Sequence, residues 1–176
     1  MDTNSSERGL VVWFTGLSGA GKTTIAGELV TLLRERGLSV EHLDGDAIRK
    51  IFPATGFSRE AREAHIERVG LVAHYLEKHR VCVVASLISP YETSRAFVRG
   101  LCQNFLEVYV STSLEECEAR DVKGLYKRAR SGELGQFTGI SEPYEVPTRP
   151  DLTIDTAKLS PREAAELIAD RALARS

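Results

Sequence analysis

Short apolar runs alternate with amphipathic stretches along most of the chain, and this pattern predicts strands separated by helices. The apolar runs have the length of buried strands, whereas the stretches between them repeat apolar residues every three or four positions. Five strands are predicted, at 10–15, 40–44, 81–86, 105–110 and 152–155. Strands that alternate with helices in this way favour a single α/β domain with a mainly parallel central sheet of about five strands.

Capping residues mark the ends of the predicted helices. Ser58 is a suitable N-cap for a long helix to about residue 79, and Gly37 ends the helix that follows the first strand. Residues 160–163 form a capping box with a proline at the first helical position, which predicts a last helix to about residue 174. Shorter helices are predicted at 46–52, 93–102 and 113–120.

Between the first strand and the first helix, Gly16–Thr23 matches the phosphate-binding pattern G-x-x-x-x-G-K-[ST]. Its glycines let the backbone fold tightly around a polyphosphate, so that N–H groups and a helix N-terminus face the anion. Lys22 would reach the terminal phosphates, and the Thr23 hydroxyl would ligate Mg²⁺. Because a strand precedes the loop and a helix follows it, a chance glycine-rich turn is the weaker interpretation. The predicted fold is a P-loop NTPase-type three-layer sandwich, and the predicted ATP-binding residues are Gly16, Ser18, Gly19, Ala20, Gly21, Lys22, Thr23 and Thr24.

Two carboxylates, Asp44 and Asp46, follow directly on the second predicted strand. Ligands of open α/β sheets bind at the carboxyl ends of the strands, where these residues would join the phosphate-binding loop. One carboxylate could take the proton of an acceptor hydroxyl, and either could hold Mg²⁺ directly or through water. On local sequence alone, an ordinary Asp-Gly turn explains them equally well. The candidate catalytic residues are therefore Lys22, Asp44 and Asp46, and Thr23 with either aspartate is the candidate magnesium site.

Basic and aromatic side chains beyond these aspartates indicate an anionic acceptor. Arg49 and Arg62 are suited to phosphate or sulfate, and Phe57 is suited to stacking on a base. Residues 121–150 are polar, lack apolar periodicity and are predicted to form an irregular, mobile lid with a basic segment at 123–130. A lid of this kind would exclude water from ATP. Solvated helix faces and a charged surface loop are the alternative interpretations.

Composition restricts the partners and the location. The 176 residues carry 23 basic and 25 acidic side chains, a net charge of −2, which argues against nucleic acid and against a polybasic membrane anchor. No apolar run reaches the length of a membrane span, and the polar N-terminus lacks the apolar core of a signal peptide. We therefore expect a cytoplasmic protein with a disordered lead at 1–8 and a single P-loop domain at 9–176.

The three cysteines, Cys82, Cys102 and Cys117, lie far apart in the sequence. They form no C-x-x-C pair, and the nearby histidines lack the spacing of zinc ligands. Reduced, structural thiols are predicted.

Read together, several motifs resemble the adenylylsulfate kinase family. The phosphate-binding loop is shared by many families, whereas the lid motif RDVKGLYKRAR at 120–130 is long and specific. The resemblance covers about residues 9–156 and implies magnesium-dependent transfer of the ATP γ-phosphate to the ribose 3′-hydroxyl of adenosine 5′-phosphosulfate. The products would be 3′-phosphoadenosine 5′-phosphosulfate and ADP, as in sulfate activation. The other matching motifs are LDGD at 43–46, GFS at 56–58, ISPY at 88–91, FTGI at 137–140 and PYEVP at 143–147.

The resemblance also implies roles for individual positions. Asp44 resembles the catalytic carboxylate and Asp46 its magnesium-side or structural partner, while Phe57 and Phe137 resemble aromatics that sandwich the acceptor adenine. Ser89 matches a serine that becomes phosphorylated in some relatives, although direct in-line transfer needs no such intermediate. The implied partners are small-molecule nucleotides and a second copy of the chain, since dimers are usual in the family. The implied acceptor-binding residues are Asp44, Arg49, Phe57, Arg62, His65, Ile88, Ser89, Lys127, Phe137, Thr138 and Gly139.

The chain departs from the family pattern at four positions on the acceptor side. His65 replaces an asparagine that contacts the acceptor, Ala61 and Glu67 change its charged surroundings, and Ser94 stands where an aspartate is usual. A related kinase that acts on another nucleotide, such as a cytidine diphosphate derivative, is therefore the close alternative. A regulatory nucleotide-binding protein without turnover is a third reading, which the retained lysine, aspartates and lid disfavour.

Overall fold

A five-stranded parallel sheet runs through the computed structural model of the chain, which describes residues 9–52 and 56–174. The strands are β1 (Val11–Thr15), β2 (Val40–Asp44), β3 (Cys82–Ser86), β4 (Phe105–Val110) and β5 (Leu152–Ile154), and their order across the sheet is β2-β3-β1-β4-β5. The helices are α1 (Lys22–Glu35), α2 (Gly45–Ile51), α3 (Arg59–Lys78), α4 (Glu92–Leu101), α5 (Leu114–Arg120), α6 (Leu125–Arg130) and α7 (Pro161–Leu173).

Helices cover both faces of the sheet because the side chains of its buried strands alternate between two apolar clusters. Val12 and Phe14 pack in a cluster with α1 and α7. Val11 and Trp13 pack in a second cluster with α3 and α4. All four side chains are fully buried. The predicted three-layer α/β sandwich is thereby confirmed. The domain boundaries and the mobility of the lid stay predictions. The predicted lead at 1–8 lies outside the described residues.

The structure confirms the five strands and the N-terminal caps predicted at Ser58 and Ser160. The Ser58 hydroxyl accepts the N–H of Ala61 at the start of α3, and Ser160 forms a capping box at the start of α7. Within the described part of the chain, no helix is long and apolar enough to cross a membrane. The three cysteines are buried and free, in agreement with the predicted structural thiols.

The segment predicted to be irregular contains one helix that the sequence pattern missed. The carboxylate of Asp121 accepts the N–H groups of Tyr126 at 3.0 Å and Lys127 at 3.1 Å, and Gly124 adopts a left-handed conformation (φ 64°) just before α6. These local contacts support a helix of six residues. So short a helix shows too few turns for an apolar period to be recognised.

The strand order places the predicted site residues side by side. In the register of the sheet, Ser86 of β3 lies between Asp44 of β2 and Phe14 of β1. The end of β1 is tied to the segment after β3, because Thr15 Oγ1 donates to the carbonyl oxygen of Ile88 at 2.7 Å. The end of β2 and the beginning of the phosphate-binding loop therefore adjoin at the carboxyl edge of the sheet.

Candidate active site

The loop between β1 and α1 has the conformation that an anion site needs. Gly16 (φ 149°) and Gly21 (φ 104°) adopt backbone conformations that other residues rarely take, and a Cβ at Gly16 would lie 2.7 Å from the carbonyl oxygen of Val110. No side chain among the described residues caps α1, so the first N–H groups of this 14-residue helix remain free for a ligand. The positive end of the helix dipole adds to the attraction of an anion.

Lys22 lies across this loop and is almost completely buried. Its Nζ donates to the carbonyl oxygens of Gly16 at 2.8 Å and Leu17 at 2.7 Å. Burial lowers the pKa of Lys22 to about 8. A bound phosphate would supply the negative charge that this buried ammonium group lacks.

The rest of the loop is held by contacts from the following segments. The carbonyl oxygen of Ala20 accepts the Thr112 hydroxyl at 2.9 Å, and that of Ser18 accepts the Tyr126 hydroxyl at 2.8 Å. Both bonds fix backbone groups and leave the N–H side of the loop open. The structure thus brings together, on the loop and the first turn of α1, all eight predicted ATP-binding residues: Gly16, Ser18, Gly19, Ala20, Gly21, Lys22, Thr23 and Thr24.

Asp44 faces this loop from the end of β2. Its Oδ2 accepts the hydroxyl of Thr23 at 3.1 Å and that of Ser86 at 3.3 Å. Its Oδ1 caps α2 by accepting the N–H groups of Asp46 and Ala47, both at 3.1 Å. Burial alone would raise the pKa of Asp44, but these hydrogen bonds outweigh it and lower the pKa below its usual value. The group is therefore an oriented carboxylate at neutral pH.

Asp46 is more exposed than Asp44 and points to the lid. Its Oδ2 forms an ion pair with Nζ of Lys123, and both side chains are more than half exposed. An exposed pair of this kind contributes little to stability. It does place one basic lid residue directly against the second predicted catalytic carboxylate.

Arg62 links α3 to both the predicted aromatic residue and the lid. Its Nε donates to the carbonyl oxygen of Phe57 at 2.8 Å, and its other nitrogens donate to Thr138 Oγ1 at 2.8 Å and to the carbonyl oxygen of Gln136. The guanidinium carbons of Arg62 and Arg49 lie 5.6 and 5.0 Å from the centre of the Phe57 ring. Phe57 is 55% exposed, whereas Arg62 is buried (6%), so the ring forms an open aromatic surface with the partly exposed Arg49 beside it.

The lid segment that carries Phe137 packs against the phosphate loop. The Phe137 ring meets Tyr126 edge to face at 5.0 Å. Gly139 (φ 92°) comes so close to the loop that a Cβ there would lie 3.0 Å from Leu17 Cδ2. Thr138 is buried and bonded to Arg62, whereas the side chain of Lys127 on α6 is exposed. Of the four predicted lid contacts, the structure thus places Phe137, Thr138 and Gly139 between the loop and Arg62.

Ser89 lies in the interior, away from this open surface. It is 1% exposed, has a positive φ of 45°, and its Oγ accepts the indole N–H of Trp13 at 3.0 Å. Its carbonyl oxygen accepts Arg95 at 2.7 Å. The neighbouring Ile88 approaches the site through its backbone, which is bonded to Thr15. A bound acceptor would therefore meet Ile88 before it met the Ser89 hydroxyl.

His65 is buried in α3 with 1% of its surface exposed. Neither ring nitrogen has a hydrogen-bond partner among the described residues. Burial, aided by the positive charges of Arg49 and Arg68, lowers the pKa of His65 to about 4. The imidazole is therefore neutral at physiological pH.

A cleft at the end of the loop was missed by sequence reasoning. It has a volume of about 240 Å³ and is lined by Gly21, Thr24, Arg120 and Thr156, among others. Arg120 donates to Thr156 Oγ1 at 3.1 Å across it. Arg120 belongs to the long lid motif, which could have drawn attention to it. Thr156 follows the last strand without any local pattern, and only the strand order brings it here.

Comparison with known proteins agrees with this geometry. Residues 8–155 match the family model described as adenylylsulphate kinase. The chain is 51% identical over 164 residues to a probable adenylyl-sulfate kinase of Pseudomonas aeruginosa, a match that covers 93% of this chain and 77% of the relative. It is 53% identical over 157 residues to the adenylyl-sulfate kinase of Chloroflexus aurantiacus, covering 89% of this chain and 84% of the relative.

A solved structure extends the similarity to three dimensions. The Mycobacterium tuberculosis APS kinase CysC, in complex with AMPPNP and APS, matches with a TM-score of 0.90 and 40% identity. The match covers 93% of this chain and 97% of that chain. The similarity therefore extends over nearly the whole chain.

Proposed function

The chain belongs to the adenylylsulphate kinase family, and we propose that the residues described above catalyse its reaction. The enzyme transfers the γ-phosphate of ATP to the ribose 3′-hydroxyl of adenosine 5′-phosphosulfate, giving 3′-phosphoadenosine 5′-phosphosulfate and ADP. The observation that carries the assignment of roles is the hydrogen bond between Thr23 and Asp44. Through this hydrogen bond, the phosphate-binding loop directly contacts an oriented carboxylate.

The loop and Lys22 bind the phosphates of ATP. Backbone N–H groups at the start of α1 receive the phosphate oxygens, and Lys22 moves its ammonium group from the carbonyl oxygens of Gly16 and Leu17 to the terminal phosphate. As the bond to the leaving oxygen breaks, charge spreads over the transferred phosphoryl group. Lys22 stabilises this charge best when it is protonated.

Asp44 orients the acceptor. As a carboxylate with a lowered pKa, it accepts a hydrogen bond from the ribose 3′-hydroxyl and aligns that oxygen with the γ-phosphate. Because the transition state of phosphoryl transfer is loose, the hydroxyl proton leaves late, and a weak base is sufficient to receive it. In-line transfer assigns no intermediate to the buried Ser89.

The donors around the loop fit a magnesium ion. Mg²⁺ prefers oxygen ligands, and Thr23, Asp44 and Asp46 offer one hydroxyl and two carboxylates at this edge of the sheet. Thr23 and Asp46 would hold the ion, Asp46 directly or through water. Bound there with ATP, the ion would neutralise negative charge on the phosphates.

The open surface beside the loop receives the acceptor. Arg49 and Arg62 offer cationic groups to the phosphosulfate, and Phe57 and Phe137 offer rings to the adenine. Thr138 and Gly139 complete the lid side. The neutral imidazole of His65 is buried, and its ring nitrogens have no partner among the described residues, so it replaces the amide of an asparagine only in part, since each ring nitrogen either donates or accepts.

The base of ATP has a separate place. The cleft lined by Thr24, Arg120 and Thr156 adjoins the end of the phosphate loop at Gly21. The planar guanidinium group of Arg120, fixed by Thr156, is suited to stack on a purine.

A homodimer and a cytoplasmic location remain predictions from the sequence.

A coupled ADP-release assay tests the proposal. We expect ADP release with magnesium-ATP to depend on adenosine 5′-phosphosulfate and to exceed that with AMP, CDP or no acceptor. Omission of Mg²⁺ should abolish it. Turnover with CDP, or with another nucleotide in preference to adenosine 5′-phosphosulfate, would show that His65 marks a changed acceptor. The absence of turnover with every acceptor would contradict kinase function.

A further inference from the structure

Three side chains with metal-binding atoms meet between α3 and α4, away from the phosphate loop. His74 and Glu77 lie one turn apart on α3, and Cys102 directly follows the last residue of α4. One ligand atom from each residue, an imidazole nitrogen, a carboxylate oxygen and the cysteine sulfur, lies within 4.8 Å of the other two. Sequence spacing gave no sign of this group because its third member comes from a different helix.

A close contact between the two helices produces the cluster. Gly70 of α3 faces Val98 of α4, and a Cβ on Gly70 would lie 2.5 Å from Val98 Cγ2. His74 and Cys102 each lie four residues, about one turn, beyond this contact on their own chain segments. The glycine therefore brings the imidazole and the thiol within reach of each other.

Two atoms of the cluster are buried without partners. Glu77 is fully buried, and its Oε1 accepts the N–H of Asn104 at 2.6 Å. Its Oε2 has no hydrogen-bond partner among the described residues, and the same holds for Nδ1 of His74, 4.0 Å away. A buried carboxylate oxygen without a donor is costly. The geometry leaves this oxygen beside the imidazole.

We infer that His74, Glu77 and Cys102 bind one divalent transition-metal ion, for which Zn²⁺ is the best match. Nitrogen, oxygen and sulfur donors suit Zn²⁺, and three protein ligands leave a fourth tetrahedral position for water. Zinc–ligand bonds of about 2.0–2.3 Å place such ligands about 3.5 Å apart, so the side chains must close by roughly an ångström. His74 is partly exposed and offers an access path for the ion.

Binding balances the charges of the site. The bond between zinc and Cys102 forms as the S–H bond breaks, and the proton leaves to solvent. The thiolate and the Glu77 carboxylate then neutralise the two positive charges, while the neutral His74 supplies a lone pair. The bound ion fastens α3 to the end of α4.

Co²⁺ provides a spectroscopic test, because a thiolate ligand gives a charge-transfer absorption that oxygen ligands do not. The full chain is freed of any purification tag, stripped with a chelator and titrated with Co²⁺ under reducing conditions. We expect one equivalent to bind with the thiolate band, and Zn²⁺ to displace it. The absence of the band in the unaltered chain would overturn the proposal.

Matched variants assign the ligands. Cys102→Ser should abolish the band, whereas Cys82→Ser and Cys117→Ser, which remove buried cysteines outside the cluster, should keep it. His74→Ala removes a partly exposed side chain and should weaken Zn²⁺ binding by about tenfold or more. His79→Ala, an exposed position next to the end of the same helix, should not change it. Retention of the band in Cys102→Ser, or unchanged Zn²⁺ affinity in His74→Ala, would overturn the assignment.

Discussion

The hydroxyl of Thr23 donates to Oδ2 of Asp44 at 3.1 Å, and this single bond joins the phosphate-binding loop to the end of β2. The other contacts of the carboxylate come from Ser86 and from the backbone N–H groups of Asp46 and Ala47. The carboxylate is therefore oriented before any substrate binds. Such preorganisation is what a positioning role in phosphoryl transfer requires.

Replacement of Asp44 by Asn should lower kcat by about 100-fold or more and change the Kd of ATP only a few-fold. The amide can still cap α2, but it lacks the charge that aligns the 3′-hydroxyl in the transition state. Steady-state ADP release gives kcat, and calorimetric titration gives the Kd of ATP.

Ser86→Ala is the matched control for Asp44, since it removes one donor to Oδ2 and keeps the carboxylate. Its effect on kcat should stay within about tenfold. If Asp44→Asn weakened ATP binding as much as it lowered kcat, the residue would act mainly on the loop or on the metal ion.

Sequence alone was sufficient for the parts of this enzyme that local chemistry determines. The loop 16–23, the aspartates after β2 and the caps at Ser58 and Ser160 all follow from short-range rules, and each lies where it was predicted. The position of Thr156 opposite Arg120 depends on strand order, which no local pattern encodes. The burial of Ser89 likewise depends on Trp13, a residue far away in the sequence.

Replacement of Arg62 by Lys should raise the KM for adenosine 5′-phosphosulfate by about tenfold or more and leave the Kd of ATP unchanged. The lysine keeps the charge but cannot bond Phe57, Thr138 and Gln136 together. Thr138→Val removes one of these bonds and should shift the KM in the same direction by less. Equal loss of ATP affinity in Arg62→Lys would show that Arg62 supports the whole fold rather than the acceptor side.

ATP affinity should weaken as the pH rises above about 8, because the pKa of Lys22 in the free enzyme is about 8 and only its charged form attracts the phosphates. The loss should approach about tenfold per pH unit at most. Binding is measured by calorimetry from pH 7 to 10. Lys22→Arg, which stays charged over this range, should bind with little pH dependence. An equally steep dependence in this variant would assign the titration to another group.

The neutral state of His65 should make the enzyme sensitive to acid. The pKa of His65 is about 4 in the folded chain and 6.5 in its unperturbed state. The unfolded chain therefore binds a proton first, so the free energy of unfolding falls as the pH drops from 6.5 to 4, by roughly 3 kcal/mol.

Because other groups titrate in the same range, the measurement is the difference between the urea unfolding curves of the unaltered chain and His65→Asn at each pH. His79→Asn, which removes an exposed imidazole beside the end of α3, is the matched control. If the difference in free energy of unfolding between the two chains stayed constant from pH 6.5 to 4, His65 would take up its proton in the folded chain as readily as in the unfolded one. Its assignment as a buried imidazole without a partner would then be wrong.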